Sequence, residues 1–278
     1  MTSGGRHEAA LRELPASVPE LMAAVQGLLI HRDLTWMYDV PRSDEHVVTS
    51  NLRSIERILD ALLADGRPIT DVRPPAERVG VTCRDFTVLT VAALRAHGVP
   101  ARARCGFGGY FPGENMEDHW VAEYRRTDGR WALADAQIDD RHRAEWGVDL
   151  DTADLPRDQF VVAGQAWQRC RVGEDDPNRY GLTSLDESGE WWIAANLIRD
   201  VAALADVELL PWDVWGVMPE PEDEITPELV ELFDALAEIT ADPDTAADAR
   251  VVHDRDERVR VPAVVRNMSR GGQEEKVR

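Results

Sequence analysis

Apolar side chains recur at helical spacing in three segments of the first hundred residues. The first segment runs from Leu11 to Leu29, and the second from Leu52 to Leu63, just before Gly66. The third runs from Thr82 to His97, where Gly98 provides a typical helix stop. The spacing therefore predicts two helices that precede a third, well-defined one.

Strand patterns follow this third helix. The segment "ARARC" alternates small residues with arginines, which is typical of a half-buried strand. Farther on, "HWVAEYRR", "TDG" and "RWALADAQ" predict a strand, a turn and a second strand. If the turn has three residues, Arg126 lies opposite Arg130 and Val121 lies opposite Asp135. The glycine-rich stretch "GFGGYFPGENMED", which lies between "ARARC" and "HWVAEYRR", is predicted to be a long loop.

Helical periodicity returns in the C-terminal half. The segments "EWWIAANLIRDVAALADVELL" and "TPELVELFDALAEIT" predict two helices, the second with Thr226 as N-cap and Pro227 as its first residue. Charged residues dominate from His253, which predicts a flexible tail over 253–278. We therefore expect an α+β fold with a single domain over 1–250.

Composition narrows the classes of partner. The chain has 278 residues, and its formal net charge of −21 disfavours nucleic acid or an anionic membrane as a partner. The N-terminal "MTSGGRHEAALREL" lacks the apolar core of a secretory signal, and no stretch is apolar enough to span a bilayer, so we expect a cytoplasmic protein. The three cysteines have no CxxC spacing and are expected to be free thiols.

Metal and cofactor chemistry has little support in the sequence. Four histidines are scattered along the chain without carboxylate or cysteine partners at ligand spacing: His31, His46, His142 and His253. No phosphate-binding loop or dinucleotide fingerprint is present. We therefore expect neither a metal nor a cofactor.

Cys83 stands where the third helix is predicted to begin. Thr82 as N-cap and Asp85 three residues later resemble a capping box, which makes Cys83 the first helical residue. Unpaired backbone N–H groups and the helix dipole stabilise a thiolate at such a position. A lone cysteine is more often a small buried apolar side chain, so a nucleophilic role requires companion residues.

His119 and Asp135 are the candidate companions, because a cysteine nucleophile needs a base and a group that orients the base. With the three-residue turn, His119 faces Gln137 and lies diagonally from Asp135 on the same face of the sheet. A two-residue turn would place the two side chains on opposite faces. Taken singly, His119 could be an ordinary surface or core histidine, and Asp135 could be a solvated or turn-capping carboxylate, with no catalytic role.

The order of these segments resembles the transglutaminase-like superfamily. The resemblance covers residues 79–138 and includes the cysteine that opens a helix, "RAHGVPAR" leading into a strand, the His119–Trp120 pair, and a tryptophan shortly before Asp135. It implies a papain-like core, in which the catalytic helix packs on an antiparallel sheet, with further helices on both sides. The sequence departs from the family after the aspartate, where it has Ala136 and Gln137.

The resemblance also implies roles for these residues. Cys83 would attack a carbonyl group as a thiolate, His119 would transfer the proton, and Asp135 would orient His119. The backbone N–H of Cys83 and a second donor would bind the oxyanion, and Trp36 is a candidate for that donor. The candidates for substrate contact are Trp36, Tyr110, Phe111 and Trp120.

The expected activity is hydrolysis or acyl transfer at an amide-type bond of a small molecule or peptide, through a Cys83 acyl-enzyme. Two alternatives remain open. One is a catalytically silent module that binds a peptide or protein partner, and the other is hydrolysis of a C–N glycosidic bond, which has precedent in the same superfamily.

Overall fold

The computed structural model describes residues 1–277 and has an α+β fold. Its α-helices in this range are α1 (Glu8–Leu11), α2 (Val18–Leu28), α3 (Asp44–Thr49), α4 (Ile55–Leu62), α5 (Cys83–Ala96), α6 (Asp140–Trp146), α7 (Ala163–Arg171), α8 (Glu190–Leu204), α9 (Pro227–Thr240) and α10 (Ala249–Arg255). The strands are β1 (Leu29–His31), β2 (Val79–Val81), β3 (Ala101–Gly108), β4 (Met116–Arg125), β5 (Trp131–Ala134), β6 (Phe160–Val162), β7 (Tyr180–Leu182), β8 (Glu187–Ser188), β9 (Asp213–Val214), β10 (Val264–Asn267) and β11 (Gln273–Lys276).

The chain divides into two compact units, and the expectation of one domain over 1–250 stays a prediction. The first unit contains Met1–Ala103 and Trp120–Pro156, and the second contains Arg104–His119 and the described residues from Arg157 onward. Strands β3 and β4 each pass from one unit into the other. Neither unit is therefore a continuous stretch of sequence.

Helix α5 is the central element of the first unit. It packs against α1, α2 and α4, and against the short strand β2 that leads into it. Every residue from Arg84 to Leu94 is buried, so the helix is enclosed on all sides rather than along one stripe. Strand β2 pairs in parallel with β1, which follows α2 directly. These contacts fix the position of the N-terminus of α5.

The hairpin formed by β5 and residues 120–125 of β4 lies in the first unit and has the register expected for a three-residue turn. Ala122 lies opposite Ala134, and Arg125 lies opposite Trp131. The backbone N–H of Arg126 donates to the carbonyl of Arg130 at 2.9 Å, and Gly129 has a φ of 88°. Glycine adopts this left-handed conformation without steric cost, so the three-residue turn is confirmed.

The second unit is built around α8, which packs against α7, α9 and α10. Helices α7 and α9 also pack against each other. Their close approach depends on Gly164, because a Cβ atom there would lie 2.3 Å from Thr240 Oγ1. Helix α9 begins after Thr226 with Pro227 in its first turn, as predicted.

The C-terminal segment differs from the predicted flexible tail over 253–278. In the described part of this segment, α10 ends at Arg255, and β10 and β11 form an antiparallel hairpin that pairs with β9. Val265 and Asn267 of β10 are buried. In β10 these inward-facing residues alternate with the exposed Val264 and Arg266, and β11 consists of polar and charged residues. A half-buried hairpin of this kind resembles a charged tail in composition.

Strand β3 is buried on both faces, whereas the sequence predicted a half-buried strand. In the first unit, Arg102 donates to Glu123 at 2.7 Å. In the second unit, the guanidinium of Arg104 donates twice to Asp200, at 3.0 and 2.8 Å. The arginines of "ARARC" therefore face buried carboxylates rather than solvent. Within residues 1–277, no helix is both long enough and apolar enough to cross a bilayer.

Candidate active site

Cys83 is the first residue of α5 in the structure, as the sequence predicted. The N-cap Thr82 donates its backbone N–H to Asp85 Oδ2 at 2.9 Å and its hydroxyl to the same oxygen at 3.2 Å. Cys83 is half-buried, while the residues that follow it in the helix are fully buried. The thiol group therefore belongs to a partly exposed residue at the positive end of a buried helix dipole.

A buried ion pair supports this helix N-terminus. The Arg84 guanidinium donates to Asp85 Oδ1 at 2.7 Å, and it also donates to the carbonyl groups of Leu52 and Arg53 in the segment before α4. Burial raises the pKa of Asp85, and the charge of Arg84 opposes that effect. The carboxylate thus joins Thr82 to Arg84 and holds the backbone on both sides of Cys83.

Asp135 lies one residue beyond the end of β5 and is buried. Its backbone N–H donates to the carbonyl of Thr152 at 2.8 Å. Its Oδ1 accepts the backbone N–H of Gln137 at 2.9 Å, which closes a tight turn after the strand. The carboxylate is therefore fixed relative to the hairpin. Cys83 and Asp135 both belong to the first unit.

His119 belongs to the second unit and lies in β4, with only 2% of its surface exposed. Its ring centroid is 4.8 Å from that of Phe111, 6.1 Å from that of Tyr110 and 6.4 Å from that of Phe160. Tyr110 and Phe111 stack on each other at 4.8 Å. The structure thus brings three predicted site residues together, and adds Phe160, which the sequence did not indicate.

Asp118 precedes His119 and joins it to α8. Its carboxylate accepts a hydrogen bond from Trp192 Nε1 at 2.8 Å. Burial raises the pKa of this carboxyl group, and the charge of Arg199 is the main opposing influence. Successive residues of a strand point to opposite faces, so Asp118 anchors the backbone on the face away from His119.

The two tryptophans predicted to contact substrate lie in contrasting environments. Trp120 is 1% exposed, and its buried Nε1 has no hydrogen-bond partner within residues 1–277. Its ring therefore contributes to the core, and a contact between Trp120 and a substrate stays a prediction. Trp36 is 58% exposed and lies in a short 3₁₀ turn over Thr35–Tyr38. Its role as an oxyanion donor stays a prediction.

A second cluster of polar side chains lies in the first unit and was missed in the sequence. Tyr38 donates its hydroxyl to Asp139 Oδ2 at 2.6 Å, and His142 Nδ1 lies 2.7 Å from Asp139 Oδ1. These hydrogen bonds outweigh burial and lower the pKa of Asp139 to about 2. The sequence predicted no carboxylate partner for His142, although the D-x-x-H spacing at the start of a helix is a usable signal.

Two other kinds of site are a metal centre and a surface groove. Within the described residues, no group of three or more histidine, cysteine or acidic side chains is arranged to hold a metal ion. A groove of about 420 Å³ on α7 contains none of the predicted site residues and is lined by Gln165, Gln168, Arg169, Val172 and Glu174.

Comparison with known families gives one match. Residues 67–136 match the core model of the transglutaminase-like superfamily. The matched range contains Cys83, His119 and Asp135. Searches of curated proteins and of solved structures gave no significant match.

Proposed function

Because residues 67–136 carry a transglutaminase-like superfamily core, we propose that the protein is a thiol-dependent hydrolase or acyltransferase that acts on an amide-type bond. Cys83 is the nucleophile, His119 is the general acid and base, and Asp135 orients His119. The net charge of −21 disfavours a polyanion as the substrate.

The observation that carries this proposal is the placement of Cys83. It is the first residue of a buried 14-residue helix, its N-cap is held by Asp85, and it is the least buried residue of the first turn. A structural cysteine has no need of this position, whereas a nucleophilic thiolate gains from the free N–H groups there. The same helix start lies within the matched family segment.

The chemistry proceeds in two steps. The Cys83 thiolate attacks the carbonyl carbon, a C–S bond forms, and the backbone N–H of Cys83 is one donor to the oxyanion. The C–N bond then breaks, and the leaving amine takes a proton from the imidazolium of His119. In the second step, His119 removes a proton from water or from an acceptor amine, which attacks the thioester and releases Cys83.

A second candidate function is a catalytically silent binding module. It is favoured by the covering of His119, whose ring packs against Phe111 and Tyr110 and is only 2% exposed. In this case the residues around Cys83 and His119 would bind a peptide or partner without reacting. Reactivity of Cys83 separates the two functions, because a binding module does not require a thiolate.

The test is the rate of iodoacetamide alkylation of each cysteine against pH, read by peptide mass spectrometry. For an activated Cys83 we expect a half-maximal rate well below pH 8.5, the approximate value for a free cysteine. The chain provides an internal control, because burial and the nearby Asp175 and Glu190 raise the pKa of Cys170 to about 12. Cys170 should therefore react slowly up to pH 9.

The role of His119 is tested with His119→Ala, which should move the alkylation midpoint of Cys83 upward. His253→Ala is the matched control, since His253 is also a buried histidine of the second unit and belongs to no predicted site. An ordinary midpoint for Cys83 that neither variant changes would exclude the covalent mechanism. That result would favour the silent binding module.

A further inference from the structure

Two arginines of the first unit lie against the ring of Tyr38. The Cζ atom of Arg78 is 5.4 Å from the ring centroid, and that of Arg141 is 5.3 Å from it. Arg78 Nε donates to the carbonyl of Arg73 at 3.2 Å, and one terminal nitrogen of Arg141 donates to the carbonyl of Met37 at 2.8 Å. Both guanidinium groups are thus positioned by an aromatic platform and a backbone acceptor.

Neither guanidinium has a carboxylate partner within residues 1–277. The nearest candidate, Asp139, is occupied on both oxygens. Its Oδ2 accepts from Tyr38, and its Oδ1 accepts the backbone N–H groups of Arg141 and His142 and lies 2.7 Å from His142 Nδ1. Glu77, which precedes Arg78, pairs instead with Arg67 at 2.9 Å. The cluster therefore holds two cations against one carboxylate, in a chain of net charge −21.

The cluster has two further features of a binding site. Arg78 is half-buried, and its desolvation lowers the pKa of its guanidinium, while the charge of Asp139 acts in the opposite direction. A bound anion would offset that desolvation. In addition, Nε2 of the buried His142 has no hydrogen-bond partner within residues 1–277, which adds a polar atom able to bind a ligand group.

We propose that Arg78 and Arg141 bind a carboxylate group of a ligand, with Tyr38 as their platform. Planar guanidinium groups match the two oxygens of a carboxylate with paired hydrogen bonds. A phosphate fits less well, because phosphate sites in proteins commonly use backbone N–H groups at a helix N-terminus. Here the free N–H groups at the start of α6 already donate to Asp139.

The position of the two arginines connects this site to Cys83. Arg78 directly precedes β2, which leads into Cys83, and five residues of extended chain span at most about 17 Å. Arg141 lies in α6, six residues after Asp135. A substrate a few residues long could bridge such a distance. On the basis of the proposed function, we infer that the acyl substrate carries a carboxylate, which this site recognises.

The experiment is isothermal titration calorimetry of the full chain with succinate, and separately with inorganic phosphate. Arg78→Gln and Arg141→Gln should each weaken succinate binding at least tenfold. Arg125→Gln is the matched control, since Arg125 also lies over an aromatic ring, 5.9 Å from the centroid of Trp131, and donates to a backbone carbonyl. It should bind succinate like the unchanged protein, and circular dichroism should verify the fold of all three variants.

Three results would overturn the inference: no succinate binding, equal weakening in the Arg125→Gln protein, or phosphate binding more tightly than succinate at the same arginines. Arg141 is exposed, so its substitution remains informative even if Arg78→Gln fails to fold. Calorimetry is independent of thiol chemistry. Arginine-dependent succinate binding with an inert Cys83 would exclude the proposed function alone, and a reactive Cys83 without such binding would exclude this inference alone.

Discussion

The carboxylate of Asp139 is held by donors from the backbone and from two side chains. It caps the start of α6 through the N–H groups of Arg141 and His142, its Oδ1 lies 2.7 Å from His142 Nδ1, and it accepts the hydroxyl of Tyr38. Each of these donors stabilises the charged form, so the pKa of Asp139 falls from 3.8 to about 2 in spite of burial. A single side chain thus joins a 3₁₀ turn near residue 38 to the helix that follows Asp135.

This carboxylate gives a pH dependence of known sign. Asp139 stays ionised in the folded protein down to about pH 2, whereas in the unfolded chain it is protonated near pH 3.8. Its contribution of about 2 kcal/mol is therefore complete above pH 4 and is lost as the pH falls toward 2. We expect Asp139→Asn to lower the free energy of unfolding at pH 6, and the difference from the unchanged protein to shrink below pH 4.

Urea unfolding at a series of pH values measures this difference. Asp140→Asn is the control, because Asp140 is exposed and neighbours Asp139 on the same helix. The control should follow the unchanged protein within about 0.5 kcal/mol at every pH. A constant gap between the Asp139→Asn protein and the unchanged protein from pH 6 to pH 3 would contradict the assignment.

Individual site residues could be predicted only where local sequence determines their geometry. The Thr82–Asp85 pair determines where α5 begins, so Cys83 was placed correctly from the sequence alone. The partners of Tyr38 are about a hundred residues away in the chain. Long-range contacts of this kind have no periodic signal, which is why the cluster around Asp139 was missed.

At the scale of elements, α8 shows how a helix can be buried on all sides and still carry charge. Residues Trp192 to Leu204 are buried, and among them Asp200 accepts two hydrogen bonds from Arg104 and a third from the backbone N–H of Cys105. Arg104 also donates to the carbonyl of Thr240 at the end of α9 at 2.6 Å. This ion pair links strand β3 to two helices.

Removing one partner of this pair should be costly, because the other charge is left buried. We expect Asp200→Ala to lower the free energy of unfolding by about 3–5 kcal/mol. Glu220→Ala removes a partner of Arg266 from an exposed pair and should cost less than about 1 kcal/mol. Chemical denaturation of both variants decides the matter, and equal losses would show that burial of the Arg104–Asp200 pair has no special weight.

Elements with a periodic pattern and a local end signal were predicted well. The turn of "TDG" sets the register of β4 and β5, and a proline and a threonine set the start of α9. The two arginines of β3 were placed at a solvent-facing surface, because their partners, Glu123 and Asp200, are distant in sequence. The many charged residues near the C-terminus predicted a flexible tail. The alternation of exposed and buried residues in β10 covers only four residues, which is too short to distinguish a strand from a tail in the sequence.

At the scale of the whole molecule, each of the two units is built from two separate stretches of the chain, and the composition of the sequence does not reveal this division. The chain leaves the first unit after Ala103, returns at Trp120 and leaves again after Pro156. The first two of these three crossings lie inside strands β3 and β4, with no glycine- or proline-rich linker at either point. Domain boundaries are recognised in sequences by such linkers, so the sequence carries no signal for these two crossings.

Continuous strands across the boundary should make the two units unfold together. Each unit has its own tryptophans, including Trp131 in the first and Trp167 in the second. We expect the urea transitions followed by tryptophan fluorescence and by far-ultraviolet circular dichroism to coincide.

Hydrogen exchange of the Asp200→Ala protein gives a sharper test of this coupling. Since the substitution lies in the second unit, loss of protection in α5 as well as α8 would demonstrate that the two units unfold together. Loss confined to α8, with α5 still protected, would instead show that each unit is stable by itself despite the shared strands.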